Sequence, residues 1–298
     1  MKRSFVFVLA LLAASAVVWT FATTPMSQPA PTRAGSDACK ECHEDVLAKH
    51  LQGPHGSAAV ECESCHGPGS QHVAADGDEK APGFASIRNF KNMSAEAVSE
   101  ACSECHSGGD QFYWEHSTHA RKDVSCVSCH NIHGAKTAEN AKGLIAKADV
   151  NELCMSCHKN KRGSLARSAH MPLREGSMNC ASCHNPHGST TERMLKGDSV
   201  NGLCTSCHAD KRGPLLWDHA PVRENCLNCH EAHGSNNDKS LASKKPYLCQ
   251  RCHVATRHPA TLYDNPDLVG NRLFNRSCTN CHSQVHGSNH PSGKYFLR

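Results

Sequence analysis

Residues 154–187 read CMSCHKNKRGSLARSAHMPLREGSMNCASCHNPH, and this stretch decides the architecture. Two Cys-x-x-Cys-His motifs, at Cys154 and Cys180, bracket a lone histidine, His170, and another histidine, His187, follows the second motif by three residues. The same arrangement recurs along the chain. Its paired cysteines are Cys39 and Cys42, Cys62 and Cys65, Cys102 and Cys105, Cys126 and Cys129, Cys154 and Cys157, Cys180 and Cys183, Cys204 and Cys207, Cys226 and Cys229, Cys249 and Cys252, and Cys278 and Cys281. These ten copies use all 20 cysteines of the 298-residue chain. Random placement of 20 Cys and 23 His would produce roughly 0.1 such pentapeptides, and the pentapeptide is the attachment signal for a c-type haem.

The spacing suits that chemistry. On one helical turn, residues i, i+3 and i+4 share a face. Each cysteine pair can therefore form thioethers to a porphyrin while the adjoining histidine lies beneath the ring. Zinc ribbons also pair Cys-x-x-Cys, and exported proteins pair cysteines into disulfides. Zinc, however, requires no histidine after every second cysteine, and disulfides between such near neighbours would be strained rings. Ten covalently bound haem c groups are expected, with no cysteine left for catalysis or a separate metal.

The ten motif histidines, His43, His66, His106, His130, His158, His184, His208, His230, His253 and His282, are the expected proximal iron ligands. Thirteen histidines remain, enough to give each iron a second imidazole. Motifs group in twos as five dihaem units, residues 39–72, 102–133, 154–187, 204–233 and 249–286. His133, His187 and His233 follow a motif histidine by three residues in HNIHG, HNPHG and HEAHG, and His286 follows by four in HSQVHG. His72 is the looser counterpart in the first unit. Between motifs stand His55, His119, His170 and His219, at 12, 13, 12 and 11 residues past the preceding motif histidine. His258, after only five, departs from the pattern. These ten are the expected distal ligands, and His50, His116 and His290 are left outside the set. A distal histidine three residues from a proximal one cannot easily wrap over the same ring, so it reaches a neighbouring haem that spacing does not identify. Methionine is the rival sixth ligand and would raise the potential, but the seven methionines show no repeat phase and read as packing residues.

Composition sets the compartment and the type of core. MKRSFVFVLALLAASAVVWTFA places Lys2 and Arg3 before an apolar run to Ala22, the form of a secretory signal; an uncleaved anchor is the alternative. Residues 23–38 read as a flexible Pro/Ser/Thr-rich leader, and 39–298 as the decahaem region. With 5% aromatic residues and negative mean hydropathy, roughly 28 residues per haem cannot form an ordinary core, so haem faces must supply the apolar interior. The formal charge of +4 shows no basic cluster, which excludes nucleic acid as a partner. The fold class expected is a multihaem cytochrome c, mostly irregular, with short helices and little or no β-structure, elongated along a row of haems as in other one-dimensional repeats. Asp149 with Glu152 forms a candidate capping box, and Ser94 a candidate cap for residues 95–106. The entries VNELC, VNGLC and PYLC resemble one another.

Ten motifs behind a signal sequence, the HNIHG/HNPHG/HEAHG segments and the tail CTNCHSQVHGSNHPSGKYFLR resemble the periplasmic decahaem cytochromes of porin–cytochrome conduits, the Mtr/Mto/Pio/Dms type. The resemblance covers essentially the whole chain after residue 22. It implies an electron-transfer protein rather than an enzyme, inserted from the periplasm into an outer-membrane β-barrel porin. Its implied partners are that porin, an outer-surface multihaem cytochrome and a periplasmic or inner-membrane cytochrome. The resemblance also implies that the first haems face the periplasm and the last face outward. Two alternatives remain: a multihaem oxidoreductase with an open haem site, and a soluble periplasmic cytochrome that stores electrons.

Overall fold

Helix-forming sequence is short and local in this chain, and the longer helical pieces carry the first cysteine of a motif pair. The computed structural model describes residues 29–134, 137, 143–253 and 277–297. The expected signal sequence 1–22 and the expected ligand His258 lie outside the described residues. The first motif of every pair begins on a helix: Ser36–Leu51, Ala95–Ser103, Val150–Cys157, Val200–Thr205 and Tyr247–Gln250. Ser94 caps its helix by accepting from the Ala97 amide, as expected. Asp149 accepts from the Asn151 amide, so it caps by its own side chain rather than through a box with Glu152. Second motifs open on single 3-10 turns at Cys126–Ser128, Cys180–Ser182, Cys226–Asn228 and Cys278–Asn280, and on the helix Cys62–His66 in the first pair.

Extended structure among the described residues is limited to isolated bridges. Three of them repeat: His130 with Ile145, His184 with Leu195, and His230 with Leu241. In each, the chain after the second motif folds back and brings a carbonyl to the motif histidine. Two further bridges tie successive pairs together, Ala169 with Ser235 and Trp217 with Ser288.

The glycine of each His-Gly step is what permits this close approach. Gly188, at φ +112°, lies against the backbone of Tyr113. Gly234, at φ +119°, lies against Ser164 and Ala169. A Cβ at either position would meet main-chain atoms of the preceding pair, so only glycine fits.

The apolar interior is small. Among the described residues the buried apolar side chains are Ala75, Val98, Leu144, Leu165 and Leu241. At roughly 1.5–3 kcal/mol for a large aliphatic side chain, so few cannot offset the ordering of a chain this long. The cysteines and motif histidines line open space instead. A cavity of about 2900 Å³ is bordered by Cys204, Cys226, His230, Cys249, His253 and Cys278. This is several times the volume that takes a drug-sized ligand.

Candidate haem sites

The thioether positions come together in twos. Cys39 contacts Cys62, Cys102 contacts Cys126, Cys154 contacts Cys180, Cys204 contacts Cys226, and Cys249 contacts Cys278. In each case the first cysteine of one motif meets the first cysteine of the next. Hydrogen bonding splits the thiols of a pair before attachment: Cys126 is lowered to about 6 by Cys102, and Cys180 to about 7 by Cys154. Burial leads in raising Cys204 and Cys249 to about 11, with the facing cysteine adding to it.

Imidazole rings face each other at one recurrent distance. Centroids lie 6.5 Å apart for His43 and His72, 6.0 Å for His66 and His133, and 6.0 Å for His130 and His187. The separation is 6.1 Å for His184 and His233, 6.2 Å for His230 and His286, and 6.1 Å for His219 and His253. These six couples are stacked, with interplanar angles of 22° or less. His55 and His106 are 5.9 Å apart at 63°, and His119 and His158 are 6.1 Å apart at 61°. Imidazole nitrogens each about 2 Å from one metal ion, with roughly 1 Å more to each ring centre, require about 6 Å between centroids. The donor set therefore fits an iron held between each couple.

Tautomer control points the same way. The Nδ1 atoms of His66, His130, His184, His230 and His282 lie 2.8, 2.6, 2.9, 2.9 and 2.6 Å from the carbonyl oxygens of Arg88, Gly143, Arg193, Lys239 and Tyr295. All five second-motif histidines thus donate Nδ1–H to the main chain, which leaves Nε2 as the metal-directed lone pair. Distal candidates do the same: His72 to Phe84 at 2.7 Å, His119 to Pro186 at 2.8 Å and His219 to Val285 at 2.9 Å. His55, His133, His187, His233 and His286 are held below the ordinary histidine pKa. Partial burial is the largest cause, and nearby positive charge, including the facing histidine, adds to it. Neutral imidazole is the form that ligates.

Eight of the ten expected distal histidines are thus brought to a motif histidine. His170 is turned elsewhere: its Nδ1 donates to Arg167 at 2.7 Å and its Nε2 to Glu175 at 3.1 Å. The Glu175 carboxylate, hydrogen-bonded to Nε2, raises the His170 pKa. Among the described residues, no ring contact joins His170 to His208. The three histidines left out of the set have other work. The His50 ring also stacks on His55, with centroids 6.4 Å apart at 18°, but its Nε2 is spent on the Val60 carbonyl at 2.8 Å; the His116 carbonyl accepts from Arg121, and His290 Nδ1 accepts from Ser292.

Several residues that hold the sites carry no motif of their own. Glu63, inside CESCH and 5% exposed, accepts from the amides of Ala34 (2.8 Å), Gly35 (3.0 Å) and Gly69 (2.7 Å). Burial pushes its carboxyl up, but these three N–H groups and Arg33 outweigh it and hold the pKa below the ordinary value. Asn151 and Asn201 bridge from first-motif helices to second motifs. Only the recurrent VN entry hinted at them, and nothing in the sequence singled out Glu63.

Thioether cysteines in facing couples, imidazoles paired across metal-sized gaps and almost no conventional core define a multihaem c-type cytochrome. A family model described as a doubled CXXCH motif matches residues 116–163, 170–213 and 219–258. It groups the fourth motif with the fifth, the sixth with the seventh and the eighth with the ninth, one motif out of phase with the cysteine contacts. The chain is 42% identical over 280 residues to the multiheme cytochrome MtrA of Shewanella baltica, covering 89% of this chain and 81% of that protein. The chain therefore belongs to the MtrA-type multihaem cytochromes. It carries ten covalent haem c groups and conducts electrons across the outer membrane. Other matches are more distant. The dissimilatory sulfite reductase MccA of Wolinella succinogenes is 28% identical over 53% of this chain and 23% of its own length. The C-type polyheme cytochrome OmcB of Geobacter sulfurreducens is 28% identical over 52% and 20%. No helix among the described residues is long and apolar enough to cross a membrane.

Proposed function

We propose that this cytochrome works as the periplasmic half of a porin–cytochrome conduit, with every iron closed by two histidines. The observation that carries this reading is the series of eight imidazole couples at 5.9–6.5 Å. Bound iron supplies one-electron oxidation and reduction, and its axial ligands set the potential. Histidine on both faces leaves no position for substrate, so electrons pass without side reaction.

On this reading the ligands interlock. The mid-pair histidine serves the first motif of the next pair: His55 with His106, His119 with His158 and His219 with His253. The same rule assigns His170 to His208, once it leaves Glu175. The His-Gly histidine serves the second motif of the preceding pair: His133 with His66, His187 with His130, His233 with His184 and His286 with His230. At the ends the rule closes on itself, with His72 on His43 and, by elimination, His258 on His282. The five dihaem units 39–72, 102–133, 154–187, 204–233 and 249–286 form one decahaem domain, reached after cleavage of residues 1–22.

The partners we infer are an outer-membrane β-barrel, an outer-surface multihaem cytochrome and a periplasmic or inner-membrane electron donor or acceptor. A barrel suits such a chain because it would insulate the row from lipid. The test is reconstitution with a candidate porin in vesicles that enclose a redox dye, with reductant added outside. Dye reduction that requires both proteins supports the conduit. Equal reduction without the porin, or none with it, sinks the reading.

One observation favours a second reading, a reductase with an open iron: the Glu175 contact that holds His170 away from His208. A high-spin signal in the ten-haem protein, with nitrite or carbon monoxide binding at native pH, would establish it.

A further inference from the structure

The two VN entries do more than start helices. Asn151, 6% exposed, lies in the first turn of the helix Val150–Cys157. Its Oδ1 accepts from the Cys180 amide at 2.9 Å, and its Nδ2 donates to the Leu173 carbonyl at 3.2 Å. Asn201, in the helix Val200–Thr205, repeats the contact. Its Oδ1 accepts from the Cys226 amide at 2.8 Å, while Nδ2 donates to the carbonyls of Val222 and Arg223 at 2.9 and 3.0 Å.

In both places one amide links the helix bearing the first motif to the opening N–H of the 3-10 turn bearing the second. The separation along the chain differs, 29 residues in one and 25 in the other. The link is nonetheless the same, so it belongs to the motif-to-motif geometry and not to the connecting loop. It sits beside the Cys154–Cys180 and Cys204–Cys226 contacts, where two haem attachment sites meet. The equivalent position before Cys102 is Ser99. Its shorter side chain donates to Ala95 and meets only the Cys126 sulfur, at 3.9 Å.

We propose that Asn151 and Asn201 are positioning residues that hold the two haem attachment sites of segments 154–187 and 204–233 at a fixed separation, and thereby set the electronic coupling within each pair. The proposal deepens the conduit reading and rests on its ten haems. Neither asparagine touches iron. Each acts through the cysteine amide that it holds, and a wrong distance on the order of 1 Å can cost up to about a hundredfold where geometry controls rate.

The test uses purified full-length holoprotein and the variants Asn201→Ala, Asn201→Ser and Asn201→Asp. Aspartate keeps the acceptor for the Cys226 amide but sets a carboxylate oxygen, which cannot donate, against the carbonyls of Val222 and Arg223. Serine already occupies the equivalent position at Ser99, so it is compatible with the local fold. Two signals are read beside haem count by mass: the split Soret circular dichroism of closely set haems, and the rate of electron redistribution after photoreduction. Alanine and serine are expected to keep ten low-spin haems, weaken the Soret couplet and slow redistribution roughly tenfold. Aspartate, which keeps one of the two links, should fall between alanine and the parent in both. An unchanged couplet and rate in the alanine and serine variants overturns the proposal. Loss of haem from both alanine and serine variants would make the amide a folding element and would also overturn it. Neither signal involves a porin, so a failure to conduct across vesicles would count against the functional reading alone.

Discussion

The segments 39–72 and 154–187 carry the same two motifs and solve the same problem differently. In 39–72 a buried carboxylate, Glu63, gathers the amides of Ala34, Gly35 and Gly69, and His72 turns back onto His43 within the segment. In 154–187 a neutral amide, Asn151, spans the motifs, and His187 reaches out of the segment to His130. The terminal segment closes its first site on itself and takes His133 from the next segment for its second, whereas both motif histidines of the interior one face histidines of its neighbours. Repeat proteins need such atypical ends, because an end unit has no neighbour on one side to finish it.

The sharpest way to break this comparison is to remove a ligand on each side of it. His187→Ala should convert one of ten irons to a high-spin form by electron paramagnetic resonance, with a potential change that is part of the roughly 0.8 V axial ligands span. On the proposed assignment that iron belongs to His130. In a nine-haem protein with Cys126 and Cys129 changed to Ala, His187→Ala should therefore add no high-spin signal. His72→Ala should lose its signal in a background lacking Cys39 and Cys42. A high-spin signal that persists in either background would show that the histidine serves another iron.

A smaller effect is expected at the clamps. Glu63→Ala removes charge-assisted bonds from three amides and should cost on the order of 2–3 kcal/mol. Hydrogen exchange should then accelerate at Ala34, Gly35 and Gly69, with the amide of Cys180 unaffected.

Acid should separate the segments without any mutation. The folded pKa of Glu63 lies below its ordinary 4.5. Its contribution is therefore complete above the unfolded value and is lost as pH falls through the folded one. Protection of Gly35 should fade on acidification below 4.5, while protection of the Cys180 amide, held by uncharged Asn151, follows no such step. Glu63→Gln should remove the pH step at Gly35. If Gly35 opens at the same pH in that variant, Glu63 is not the titrating group.

The smallest effects fall at histidines outside the ligand set. His290→Ala should leave all ten irons low-spin and shift stability by no more than about 0.5 kcal/mol. His50→Ala should leave coordination intact while breaking the bond to Val60. A new high-spin signal in either variant would bring that residue into the set.

Much of the site was legible because it is local. Attachment at Cys154 and Cys157 with His158 requires neighbours on one turn, and the His-Gly and mid-pair histidines recur in phase with the motifs. The clamps were not legible to the same degree. Glu63 looks like any acidic residue inside a motif until the chain folds amides onto it. The glycines at 188 and 234 look like turn punctuation until the preceding pair is packed against them.

The chain alone determined how many haems it binds, and it offered the cysteines and histidines proposed to hold them, because each of these follows from residue type at a fixed short spacing. Only the tertiary structure decided which histidine faces which. His130 and His187 stand 57 residues apart along the chain. His119 and the Pro186 carbonyl that it meets are 67 apart, and no short-range rule links positions so distant. Those contacts exist because adjacent segments bridge main chain to main chain, at Ala169 with Ser235 and Trp217 with Ser288, and so carry a ligand from one repeat into the next.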